Sequence, residues 1–231
     1  MKVNENRHDN FARLTALLSL AVAIAAIAVP YFQQSQIQKS QSYEELRVIL
    51  NPNTNGPILL KGSNFGKMGR LIQMPWQLII SNNSLRTTSI LETSLSTGSE
   101  PGSTYYSGIS GGIVDANYDP VEMPLVLEAG VSKSLYIYVG ALVPSHVYET
   151  LDKINEGNPI LDREAMKELG ANGIDIYGNR VEYKAFEAGN FIIKYLEPEK
   201  SPKFWLRLST GQGNNFFATA SKYGLRSEGT L

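Results

Sequence analysis

Residues 14–29 read LTALLSLAVAIAAIAV, with no charged side chain and only Thr15 and Ser19 polar. Pro30, Tyr31 and Phe32 extend the apolar stretch. As a helix, residues 14–32 would be about 28 Å long at roughly 1.5 Å per residue. The hydrocarbon core of a bilayer is ~30 Å thick. A core helix of a water-soluble domain carries one apolar stripe, whereas this run is apolar all round. The stretch therefore predicts a transmembrane helix over 14–32, with the lipid bilayer as its partner.

The flanks suggest an orientation. Lys2, Arg7 and Arg13 precede the span, and only Lys39 follows closely. Positive charge favours the cytoplasmic side, so residues 1–13 are expected in the cytoplasm and the rest across the membrane. A cleaved signal peptide is the alternative, because Ala26-Ile27-Ala28 has the small-x-small form of a cleavage site. The apolar run continues past that point and the polar leader is long, which favours a retained anchor.

Charge and cysteine content exclude several function classes. The chain has no Cys, which removes disulfides, thiolate metal sites and thiol nucleophiles. Net charge is −1, unlike a dedicated nucleic-acid binder. No motif calls for a cofactor.

Beyond the span, residues 33–45 are rich in Gln and Ser and read as a stalk. From 46 onward the patterning is that of strands. Leu135-Tyr136-Ile137-Tyr138-Val139 alternates, as do the runs at 181–185, 191–195 and 204–208. Tyr177-Gly178-Asn179-Arg180 lies between two strand-like runs and reads as a tight hairpin. Ser145 is the expected N-cap of a helix reaching Asn155. Asp162 is the expected cap of a second helix over 163–169, closed by Gly170. The Gly/Ser-rich stretch 96–112 reads as a loop.

The expectation is a mainly β chain: one transmembrane helix, then an antiparallel β-sandwich over 46–223 with a helical insertion around 145–170, then a flexible tail over 224–231. In general architecture the strand order resembles immunoglobulin-like bacterial surface domains. The Cys…Trp…Cys core of antibody-type domains is absent, and the resemblance implies no site residues.

Candidate sites are few. Asp115, Asn117 and Asp119 have the D-x-N-x-D spacing of a calcium loop. Pro120 and Val126 stand where that loop needs Gly and Glu, so an ordinary turn competes. Trp205, Tyr136 and Tyr138 fall on the polar sides of their strands and form a candidate aromatic contact patch for a protein or glycan. Cover by the inserted helices is the competing reading. Gly62-Ser63-Asn64-Phe65-Gly66-Lys67 lacks the spacing of a phosphate loop, and no G-x-S-x-G accompanies His146. Asn82-Asn83-Ser84 matches a glycosylation sequon.

The expected role is a membrane-tethered, non-catalytic interaction or structural module of the cell envelope. A hydrolase using a carboxylate pair is the alternative. A third reading is the same domain secreted after cleavage.

Overall fold

A computed structural model describes residues 5–155, 159–197 and 201–223. Helix α1 spans Glu5–Ser42. Within it, Ala16–Gln34 has a mean hydropathy of 2.0, and none of that stretch is buried by the rest of the protein. This helix is long and apolar enough to cross a membrane. The Gln-rich segment continues the helix as far as Ser42. The tail expected over 224–231 lies outside the described residues. The helix and the strands belong to two separate units.

In chain order the strands are β1 (Leu46–Pro52), β2 (Leu59–Asn64), β3 (Arg70–Asn82), β4 (Thr88–Thr97), β5 (Ser110–Val114), β6 (Leu125–Leu127) and β7 (Ser132–Val143). Helices α2 (Ser145–Ile154) and α3 (Asp162–Ala171) follow, then β8 (Val181–Ala185), β9 (Phe191–Tyr195), β10 (Lys203–Thr210) and β11 (Asn215–Ser221). One sheet has the order β1-β3-β7-β5, with β2 also on β3; the second has the order β11-β10-β4-β6. β8 and β9 form a separate hairpin. Every ladder is antiparallel.

Period-two patterning places the core between the sheets. Ile72, Met74, Trp76, Leu78 and Ile80 of β3 are fully buried, as are Phe204, Leu206 and Leu208 of β10. Trp76 meets Phe204 edge to face across the sheets, with ring centroids 5.3 Å apart. Val147, Tyr148 and Leu151 bury one side of α2. Ala165 and Leu169 do the same for α3, and all five belong to the same core.

Three local expectations need correction. Pro144 and Leu161, not Ser145 and Asp162, occupy the N-cap positions. Asp162 instead lies in the first turn of α3, buried and paired with Lys222. Gly170 is inside α3, where a Cβ would come 2.7 Å from the Tyr183 ring; close packing, not a turn, requires glycine there. The loop expected over 96–112 is shorter at both ends, because Ser96 and Thr97 belong to β4 and Ser110–Gly112 to β5.

Candidate functional site

The connection from β2 to β3 contains a short 3-10 turn over Gly66–Met68. Gly69 has φ 106°, and a Cβ there would fall 2.2 Å from the Val143 carbonyl oxygen. Only glycine lets this turn lie against the end of β7. Pro144 then stops β7 and starts α2. The turn, the β7–α2 joint, Tyr177 and Pro202 enclose a cleft of about 480 Å³. Register places it at one end of the first sheet: Arg70 pairs with Val143 there, whereas Leu46 pairs with Asn82 at the other end.

Lys67 and Ser145 supply exposed polar side chains to the cleft, whereas the Tyr177 hydroxyl is buried. Among the described residues that line it there is no carboxylate and no imidazole. Lys67 and Ser145 offer one cation and one hydroxyl that can hold a polar group. His146 is exposed at the start of α2 and does not line the cleft.

Tyr177 also belongs to a buried polar cluster. Asp175 Oδ1 accepts the backbone N–H of Tyr177 at 2.9 Å and of Asn179 at 2.7 Å. Its Oδ2 accepts the Asn179 side-chain amide at 2.7 Å and faces the Tyr195 hydroxyl at 3.4 Å. The tight hairpin expected at 177–180 is instead an aspartate turn over 175–179, flanked by a single bridge from Ile174 to Arg180 and not by two strands. Lys222 Nζ contacts Asp162 Oδ2, with both side chains 1% exposed. Burial pushes the Tyr177 and Tyr223 phenols above their ordinary value, and the carboxylates of Asp162 and Asp175 push the same way. Neither Asp162 nor Lys222 is apparent as a site in the sequence. Asp162 has the look of a cap, and its partner lies far along the chain.

The D-x-N-x-D segment forms a turn. Asp115 Oδ1 accepts the N–H groups of Asn117 at 2.8 Å and Asp119 at 3.0 Å. One carboxylate oxygen is thus committed to the backbone. Among the described residues, no group of three His, Cys, Asp or Glu side chains is placed to hold a metal ion.

The aromatic candidates do not share a surface. Tyr136 and Tyr138 sit on β7 of one sheet, Trp205 on β10 of the other. Tyr138 is buried, and Tyr118 stacks on Tyr136 with centroids 5.4 Å apart. Trp205 is partly covered by the loop after β4, not by the inserted helices, and its indole N–H donates to the Gly98 carbonyl at 3.0 Å. Lys203 Nζ lies 4.2 Å from the Trp205 ring centroid. The sequon asparagine, Asn82, is fully buried, and its amide donates to the carbonyls of Leu127 and Glu128. A glycan there would require that packing to open.

No family model, curated protein sequence or solved structure matches this chain.

Proposed function

We propose that the chain is a membrane-tethered, non-catalytic binding module of the cell envelope. Its N-terminus is in the cytoplasm, α1 crosses the bilayer once, and the strands form an immunoglobulin-like sandwich on the far side. The partner is a protein or a glycan. One observation carries this reading: an apolar helix with nothing buried over Ala16–Gln34 precedes a domain whose core is filled by its own residues. Exposed apolar surface costs about 25 cal/mol per Å² in water, and a bilayer removes that cost. Lys2, Arg7 and Arg13 set the orientation.

The cleft supports binding of a polar group, because Lys67 and Ser145 offer it a cation and a hydroxyl. The chain enters at Leu46, and the cleft lies about 40 Å along β3 from there, at ~3.4 Å per residue. Tethering also raises the effective concentration of the domain toward other envelope components.

Protease accessibility of C-terminally tagged protein, in intact and permeabilised cells with membrane fractionation, tests the reading. Full-length membrane protein digested from outside is expected. A soluble product shortened near residue 28 would replace the anchor with a cleaved signal. Digestion only after permeabilisation would reverse the orientation.

A further inference from the structure

Lys222 and Asp162 meet in the interior of the β domain. Each side chain is 1% exposed, and Lys222 Nζ touches Asp162 Oδ2. Asp162 Oδ1 is buried without a hydrogen-bond partner among the described residues. The contrast with Asp175 is sharp: four donors address that carboxylate, and one addresses Asp162. Tyr223 and Tyr177 pack edge to face at 6.0 Å, and Tyr223 and Tyr195 lie 5.5 Å apart. Both Tyr177 and Tyr223 feel the charges of Asp162 and Asp175, and burial raises both phenols.

We propose that Lys222 and Asp162 join covalently as an intramolecular amide. Burying two ions costs several kcal/mol each in desolvation, and an amide, which is neutral, replaces them. Lys222 Nζ already lies against the Asp162 carboxyl group. Reacting groups held within about 3–3.5 Å gain effective molarities of order 10⁵–10⁸ M over free ones.

The step balances without a co-reactant. The Lys222 ammonium gives one proton to the Asp162 carboxylate. The freed nitrogen lone pair attacks Asp162 Cγ, and a C–N bond forms. The surplus proton on nitrogen passes to the departing hydroxyl, the C–O bond breaks, and one water leaves. Burial then protects the amide from hydrolysis.

The linkage would staple the end of β11 to the first turn of α3. No disulfide can do this in a chain without Cys. The two residues are 60 positions apart, so the closed loop takes in α3, the β8–β9 hairpin and the last two strands.

Full-length protein, purified in detergent, is digested with trypsin and analysed by mass. Trypsin does not cut after an amide-linked lysine. Residues 154–163 and 208–226 should therefore leave as one branched peptide, lighter by one water than the two pieces together. Wild-type protein that yields only separate peptides, with cleavage after Lys222, overturns the proposal. Lys222→Arg keeps the cation beside Asp162 but removes the reactive amine, and the branched peptide must vanish in it. A branched product that persists in this variant overturns the assignment to this pair.

Discussion

Asp115 and Asp175 hold the same turn. In each, the backbone N–H of the aspartate donates to the carbonyl four residues on, at 2.9 Å in both cases. In each, Oδ1 accepts the N–H groups two and four residues on. The residue three positions on is left-handed: Tyr118 with φ 66° and Gly178 with φ 79°. The flanking residues bridge, Val114 with Pro120 and Ile174 with Arg180. Asp119 and Asn179, the two last positions, differ in one respect: only the Asn179 side chain returns to the first aspartate.

That difference sets an order of stability effects. Asp115→Ala removes two exposed hydrogen bonds, at a cost of about 1 kcal/mol. Asp175→Ala strands buried donors and should cost about 3 kcal/mol. Urea unfolding of the detergent-solubilised chain measures both. Millimolar calcium should leave the wild-type Tm unchanged. A calcium-dependent rise that Asp115→Ala abolishes would return the first turn to metal binding.

Phe204 and its neighbour Trp205 point to opposite faces of β10, so their truncations should differ. Phe204→Ala opens the core against Trp76 and should cost about 3–5 kcal/mol. Trp205→Ala loses one hydrogen bond and part of its cover, about 1–2 kcal/mol. Its main effect should be faster proteolysis of the 98–109 segment, read by mass after brief digestion. Equal losses for the two variants would contradict the placement of Trp205.

High pH should unfold the domain. Burial holds the Tyr106, Tyr177 and Tyr223 phenols above the ordinary value of 10.0. Above that value the unfolded chain releases these protons while the folded chain keeps them. The unfolded state then binds fewer protons, so stability is full below pH 10.0 and falls as pH rises beyond it. The slope is about 1.4 kcal/mol per pH unit for each tyrosine. Tyrosinate absorbance from these three should appear only as the fold opens, and Tyr223→Phe should make the decline shallower.

Glu44 provides a test near the start of β1. It is 5% exposed and accepts the Thr210 hydroxyl at 2.5 Å and the Asn214 amide at 2.9 Å. Glu44→Ala leaves both donors without this acceptor and should cost about 1–3 kcal/mol. Glu44→Gln keeps an acceptor and should recover part of the loss in the same unfolding measurement.

Much of the β domain is legible in sequence where side chains alternate. The runs at 135–139, 181–185, 191–195 and 204–208 all lie within β7 to β10. β5 and β11 do not announce themselves. β5 begins Ser110-Gly111-Gly112, and β11 carries Ala218, Thr219 and Ala220 in succession, all buried. Small residues there satisfy tight packing, such as Gly111 against Tyr138, which no local period records. The cleft is invisible for another reason: its walls come from four separate segments. Asp162 and Lys222 illustrate the general limit, since burial gives each its meaning only once the other is in place.

The register of β1 on β3 determines how the domain would bear tension. Leu46 pairs with Asn82 and Pro52 with Trp76, seven rungs in all. A pull arriving through α1 drags β1 from its Leu46 end. An opposing force at the Gly69–Val143 end would drag β3 the other way. The rungs lie across the strands, so opposed forces shear them together instead of unzipping them one by one. The joint resists until all seven slip at once, which is the mechanics of a lap splice rather than a zipper.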